Sequence, residues 1–441
     1  MSRRCAGSAP GSTHWSNRYH DRMADDPPSE AFLATLRRSR LLDPSELARL
    51  TARPIPGTGR DLADALVHAG ALTHYQADKL VRGRWQGLVL GPYSILAPLG
   101  RGGMGTAVYL ARDRRESEHA GGRHLLALKL LPDRKVELDP KVLARFHREM
   151  DLGPRVDHPK VVRTLASGES DGVHFLAMEY IPGKTLRQIV LDGGPLAVGD
   201  AARVFADVAA GLAHVHARGL IHRDVKPGNI LVRPDGGAVL LDLGLAFAPG
   251  EPLPADPTLI GGRGYILGTI DYMAPEQARD ATAIGPAADL YGLGCTLAFA
   301  LTGAAPFPAA TTKEKIKRHR EDPPPALAHL PPGFVRIVRD LMAKRPARRP
   351  ASAAEVHDRL LAWATTAPDL APVDAVELLD APGADARLWD AAPGDDVPEA
   401  EAVDGSREVY ELDDSSEVPV KRGGCAGAVL LLAAAFAVRA L

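Results

Sequence analysis

The sequence predicts an α+β chain of two lobes, preceded by a small helical unit and followed by an acidic tail. Three observations predict it. From Gly91 onward, β-branched and apolar residues surround a glycine cluster, as strands joined by tight turns require. An apolar strand, Phe175-Leu176-Ala177-Met178-Glu179-Tyr180-Ile181, then runs into Pro182-Gly183, a break that makes a natural hinge between lobes. Beyond it, a strongly helical segment from Ala201 to Arg218 leads into a dense polar loop, His222-Arg223-Asp224-Val225-Lys226-Pro227-Gly228-Asn229.

Composition bounds the rest. At 441 residues the chain is too long for one ordinary core, so two or more structured units are expected. With 53 basic and 55 acidic residues the formal net charge is −2, which leaves no basic excess for neutralising nucleic-acid phosphates. Cys5, Cys295 and Cys425 are scattered, which points to a reducing compartment and supports neither a disulfide framework nor a zinc knuckle. Arg3 and Arg4 lack an apolar run behind them, so no secretory signal peptide is expected.

Taken in order, residues 1–28 are rich in Ser, Gly, Pro, Arg and Asp without periodicity and read as a disordered tail. Over residues 29–88, Phe32, Leu33, Leu36, Leu47, Leu50, Leu62, Leu66, Leu72, Tyr75 and Leu80 fall at helical spacing. Asp43-Pro44 and Thr73 mark helix starts, giving a bundle of three or four helices. No polar constellation stands out on it, so it reads as a packing appendage. Tyr93-Ser94-Ile95-Leu96 leads into Leu99-Gly100-Arg101-Gly102-Gly103-Met104-Gly105-Thr106-Ala107-Val108-Tyr109, a strand, a glycine-rich turn and a second strand. Such a turn lets backbone N–H groups approach phosphate oxygens; alone, it fits an ordinary flexible hairpin as well.

Leu125 to Leu131 is an apolar strand interrupted by Lys129, and an ammonium buried there needs a partner. Glu149, on the helical segment from Val142 to Leu152, supplies one. Either residue alone reads as a surface charge; together with the loop at 222 they read as an ion pair. After that loop, Ile230-Leu231-Val232 and Val239-Leu240-Leu241 flank Arg233-Pro234-Asp235-Gly236-Gly237, a hairpin that gives the polar groups a rigid base.

Together these residues resemble the eukaryotic-type Ser/Thr protein kinases of bacteria, over residues 91–365 and with the motifs in the family's order. The resemblance implies a bilobal fold with a small β-rich lobe (residues 91–181) and a larger helical lobe (residues 182–365). It implies that Gly100, Gly102, Gly103 and Gly105 cover nucleotide phosphates, that Lys129 holds them with Glu149 as its partner, and that Leu99, Val108, Met178, Glu179 and Ile181 complete an ATP site. Asp224 corresponds to the catalytic base, Lys226 to the lysine that offsets charge on the moving phosphoryl group, and Asn229 and Asp242 to ligands of Mg2+. Thr269 would stand beside Asp224 and Lys226 at the substrate-facing loop, Glu276 would pair with Arg349, and Asp289 would support the backbone around His222.

Three departures from the family pattern stand out. Leu243 follows the metal aspartate where Phe is usual, and Gly153-Pro154 should end the helix of Glu149 early. Between Leu243 and Gly268 the hydroxyls are those of Thr258 and Tyr265; Arg263 and Gly261 stand where relatives carry phosphorylated threonines, although Arg223 is the residue that would answer such a phosphate.

Residues 366–422 carry sixteen acidic residues up to Val420 against two arginines and read as a solvated linker. Lys421-Arg422 then precede an uncharged run, residues 423–438. As helix it spans about 24 Å against a hydrocarbon core of about 30 Å. Its flank and composition predict an inner-membrane anchor with the catalytic lobes in the cytoplasm; the alternative is an apolar tail on a soluble protein. The expected function is ATP- and magnesium-dependent phosphorylation of Ser or Thr in proteins, including autophosphorylation, to which dimerisation would contribute. The alternative is a membrane-tethered pseudokinase or scaffold.

Overall fold

The computed structural model describes residues 26–52, 57–101, 106–115, 125–132, 140–243, 245–248, 269–280 and 284–365. The expected anchor at 423–438, the acidic linker, the tail before residue 26, Gly102, Gly103, Gly105 and Thr258 lie outside the described residues. Among those described, no helix is long and apolar enough to cross a membrane.

Four helices open the described chain: α1 (Ser29–Ser39), α2 (Pro44–Thr51), α3 (Gly59–His68) and α4 (His74–Val81). The two sequence-predicted starts both hold. Asp43 accepts from the Glu46 N–H, and Thr73 with Gln76 forms a reciprocal capping box, so each satisfies N–H groups that the first turn leaves open. Phe32, Leu33, Leu36, Leu62, Leu66, Leu72 and Leu80 bury into a core of their own.

The next lobe is one antiparallel sheet of β1 (Val89–Leu90), β2 (Tyr93–Arg101), β3 (Ala107–Asp113), β4 (Leu125–Pro132), β5 (Thr164–Ser170) and β6 (Val173–Glu179), in the order β1-β2-β3-β4-β6-β5. Helix α5 (Pro140–Leu152) packs Val142 and Phe146 against Leu131 and Leu176. It stops where Pro154 demands; the chain continues as a single 3-10 turn, Gly153–Arg155.

Past the hinge come β7 (Lys184–Thr185), α6 (Leu186–Gly193), α7 (Val198–Ala217) and the hairpin β8 (Ile230–Val232) and β9 (Ala238–Leu240). Helix α7 begins before the predicted Ala201, and β9 lies one residue earlier than the apolar run suggests. Gly219, at φ +73, takes the left-handed position after α7 as expected. Then follow α8 (Pro275–Arg279), α9 (Ala287–Thr302), α10 (Thr312–Glu321), α11 (Pro332–Leu341) and α12 (Ala353–Leu361). Helix α9 is buried on every side from Ala288 to Leu301, the mark of a central core helix. Its polar exceptions, Asp289 and Thr296, both serve the loop at 222.

Candidate active site

One face of α9 carries the polar loop. Asp289, Gly292 and Thr296 recur at three- and four-residue spacing and so stack along one side of the helix. The Asp289 carboxylate accepts from the backbone N–H of His222 at 2.8 Å and of Arg223 at 2.7 Å, and the Thr296 hydroxyl is shared between Gly292 O at 2.7 Å and Val225 O at 3.2 Å. Between them, a Cβ on Gly292 would stand only 3.2 Å from Val225 O, so the loop lies against bare backbone. Burial opposes the Asp289 charge, but the hydrogen bond with His216 Nε2 at 2.7 Å, its charge and the His222 N–H hold the carboxyl below its ordinary range.

Arg223 and Asp242 have left-handed backbones, at φ +65 and +62. For residues bearing a Cβ this costs on the order of 1–2 kcal/mol each, and such strain collects where surroundings over-determine a geometry. Asp289 fixes the Arg223 N–H from one side, and Gln277 Nε2 donates to its carbonyl at 2.9 Å from the other. His222 is buried. Its Nδ1 accepts from the Asp224 N–H at 3.3 Å and its Nε2 lies 3.1 Å from Leu241 O, which assigns the proton to Nε2 and ties the loop to the residue before Asp242.

Around Asp224 the side chains converge as expected. Lys226 Nζ lies 2.7 Å from Asp224 Oδ2 and donates to Thr269 Oγ1 at 3.0 Å. Asn229 Nδ2 donates to Asp224 Oδ2 at 3.0 Å and to its backbone O at 2.9 Å. Oδ1 receives only a long contact of 3.5 Å from the Thr269 N–H, so among the described residues it is the oxygen left for an incoming hydroxyl. A general base needs one such oxygen within hydrogen-bond reach of the proton it takes.

The second cluster lies across the cleft. Gly100, Val108, Lys129 and Leu176 pair in register across β2, β3, β4 and β6, which sets Val108 and Lys129 side by side. Lys129 Nζ meets Glu149 Oε2 at 2.6 Å and Asp242 Oδ1 at 3.3 Å. Burial opposes the ammonium, but the two carboxylates overrule it and raise its pKa; burial, and then the Asp242 charge, push Glu149 up despite Lys129. Met178 packs against the α5 cluster, and Leu99 against Leu96, Ala97 and Leu110. Glu179 is tied to Arg163 twice: its carboxylate accepts from the Arg163 N–H at 3.0 Å, and its own N–H donates to the Arg163 carbonyl at 3.0 Å.

Two arginines hold the chain after Asp242. Arg223 Nε donates to Leu245 O at 2.6 Å and stacks over the Phe247 ring at 5.0 Å, while Arg148 Nε donates to Ala246 O at 2.7 Å. Burial, with the charge of Arg148 second, lowers the Arg223 pKa to about 9. Leu243, in place of the family's phenylalanine, is buried in the helical-lobe core.

A ledge runs from Thr269 through a 3-10 turn, Ile270–Tyr272, into α8. Arg349 locks α8: Nη2 meets Glu276 Oε2 at 2.9 Å, Nη1 donates to Ala287 O at 2.7 Å and Nε to Ala343 O at 2.9 Å. Lys315 of α10 pairs with Asp271 at 2.7 Å. One turn on, buried His319 has Nδ1 3.0 Å from Tyr291 OH, and Lys344 Nζ donates to its carbonyl at 2.7 Å. Burial first, then the Lys344 charge, with Lys315 adding and Asp271 opposing, lower its pKa from 6.5 to about 4. A depressed folded-state value gives stability that is complete above pH 6.5 and lost as pH falls through about 4. The unfolding free energy should therefore drop by up to about 3 kcal/mol across that window. Chemical denaturation from pH 7 to 4 checks it; His319→Asn should flatten the fall relative to wild type, and parallel curves would reject the assignment.

The donor set also fits a hard divalent cation. Asn229 commits its Nδ2 to Asp224, so its Oδ1 is the amide's free acceptor, and Asp242 supplies carboxylate oxygen with its side chain 23% exposed. Among the described residues no three His, Cys, Asp or Glu side chains could hold a metal by themselves. An incomplete oxygen set, completed by phosphate oxygens and water, is the usual way Mg2+ is held.

Among the described residues, Asp224, Lys226, Asn229 and Thr269 thus gather at the loop, Lys129, Glu149 and Asp242 meet in the second cluster, and Glu276 pairs with Arg349, whereas Leu99 and Met178 pack into apolar clusters. Sequence reasoning missed His216, Gln277, Thr296 and Arg148. Gln277 follows Glu276 directly, and Thr296 sits seven residues beyond Asp289, which was the available signal.

The protein kinase domain family matches residues 93–361. Probable serine/threonine-protein kinase PkwA of Thermomonospora curvata is 37% identical over 264 residues, covering 60% of this chain and 33% of that protein. Serine/threonine-protein kinase PknD of Mycobacterium tuberculosis H37Rv is 37% identical over 283 residues, covering 62% and 40%. Serine/threonine-protein kinase PrkC of Bacillus subtilis is 31% identical over 262 residues, covering 59% and 38%. The chain spans a third to two fifths of the length of these relatives.

Proposed function

The chain belongs to the protein kinase family, on the side of its bacterial Ser/Thr members, and from that premise we propose that it transfers the γ-phosphoryl group of ATP to Ser or Thr hydroxyls of proteins, its own included. The observation that carries this reading is the Asp224 carboxylate with Oδ2 anchored by Lys226 and Asn229 and Oδ1 left to accept. In the reaction, Asp224 orients the substrate hydroxyl and takes its proton as the hydroxyl oxygen bonds to the γ-phosphorus. The bond between that phosphorus and the β–γ bridging oxygen breaks, and ADP leaves. Lys226 faces the charge spread over the equatorial oxygens, and Thr269 fixes Lys226. Lys129, steadied by Glu149, would hold phosphates at the other end of the cleft. Asn229 and Asp242 would hold Mg2+, which when bound neutralises phosphate charge. Catalysis is then positioning and charge stabilisation, with no covalent enzyme intermediate.

Intact residues Lys129, Glu149, Asp224, Asn229 and Asp242 favour an active enzyme over a scaffold. Attachment to the inner membrane through 423–438 remains part of the proposal on the strength of the Lys421-Arg422 flank and the apolar run after it; a dimer phosphorylating itself in trans completes it. Incubation with γ-labelled ATP and Mg2+ tests the function: the wild type should label itself or a basic acceptor protein, and Lys129→Met should not.

A further inference from the structure

The helical unit reaches into the strand that feeds the glycine-rich turn. Strand β2 is irregular twice against β3. Its register passes from Ile95↔Ala111 to Ala97↔Leu110, then from Pro98↔Tyr109 to Gly100↔Val108, so Leu96 and Leu99 have no partner residue on β3. On the other edge β1 pairs only with Tyr93 and Ser94. The Ile95 and Leu96 carbonyls therefore lie beyond the end of β1, and the first turn of α4 meets them. Thr73 Oγ1 donates to Leu96 O at 2.6 Å, and Gln76 Nε2 donates to Ile95 O at 2.7 Å. Tyr75, between these two in sequence, has its ring centroid 6.3 Å from that of Tyr109 on β3. A single helical turn thus touches both strands that flank the turn.

Gln76 is 4% exposed. The capping box already uses its Oε1 for the Thr73 N–H, so both ends of the amide are placed. A buried amide so committed selects one backbone arrangement, because any other leaves its donor unsatisfied. A bulged strand is where such a choice matters: slipping its register by one residue sends each side chain to the opposite face. Only a few residues separate Leu96 from Leu99 and Gly100, which frame the nucleotide cleft.

We propose that Thr73 and Gln76 are positioning residues for nucleotide binding: by pinning the bulge at Leu96 they set how Leu99 and Gly100 stand over the cleft, so the helical unit governs ATP affinity. This rests on the kinase reading of the site. A unit that only packed would add stability and leave affinity untouched.

Calorimetric titration of the full chain with ATP and Mg2+ tests it, with kcat measured alongside. Gln76→Leu and Thr73→Val should each weaken ATP binding about fivefold, the equivalent of one net hydrogen bond, with kcat within about twofold of wild type. Thr73→Ser keeps the hydroxyl and should bind as wild type does. Equal affinity in wild type, Gln76→Leu and Thr73→Val, with only the melting temperature lowered, overturns the inference and leaves the kinase reading standing. A folded wild type that binds no ATP overturns both. If Gln76→Leu does not fold, the Thr73→Val and Thr73→Ser pair decides alone, since both retain Gln76.

Discussion

Asp224→Asn should lower phosphoryl transfer by roughly 10²–10⁴-fold, the usual loss on removing a general base, while leaving ATP affinity and folding unchanged. The substitution keeps shape and removes charge. The loop backbone would persist, because Asp289, Thr296 and Gln277 grip residues 222–225 through main-chain atoms independent of the Asp224 carboxyl. What disappears is an anionic Oδ1 able to take a proton and the counter-charge that fixes Lys226 at 2.7 Å from Oδ2. The loss should therefore fall on kcat. A variant keeping a tenth or more of wild-type kcat would remove Asp224 from the chemistry.

The largest effect on stability belongs to Arg349→Leu, expected to destabilise the helical lobe by about 3–5 kcal/mol. The guanidinium is fully buried. It satisfies the Glu276 carboxylate and the carbonyls of Ala287 and Ala343, and it stacks over Tyr291 at 4.9 Å. Removing it strands a carboxylate and two carbonyls away from water, which costs more than the pair contributes by existing. Lysine would not rescue it, since a point charge cannot make the forked contact. Denaturant midpoints check the prediction. Glu276→Gln combined with Arg349→Leu should be milder than the sum of the single changes, and strict additivity would show that the pair is not coupled.

How far the sequence went follows from what each residue does. Lys129, Asp224, Lys226, Asn229 and Asp242 were legible because polar groups crowded between apolar strands have few other uses. The expected Lys129–Glu149 pair forms, and Thr269 stands beside Lys226. Thr296 and Gln277 were not legible. Each acts through one hydrogen bond to loop backbone more than fifty residues away, and a threonine in an apolar helix looks like any other. The helical unit was legible as helices, with both N-caps correct, yet it read as a bare packing appendage. Thr73 and Gln76 also donate to carbonyls of β2: their sequence signature is that of a cap, which hid these second partners. Arg223 reads in the sequence as a phosphate ligand; among the described residues its Nε meets the Leu245 carbonyl and its guanidinium the ring of Phe247, which no sequence pattern announced. Backbone acceptors of that kind leave no trace in residue identity.

Mass spectrometry of the purified wild type after incubation with ATP and Mg2+ reads out whether this site moves phosphoryl groups to protein hydroxyls. Added phosphate is expected on Ser and Thr residues, absent from Lys129→Met treated in parallel. Folded, ATP-binding wild type that carries no added phosphate, and gives none to a basic acceptor protein, would contradict it.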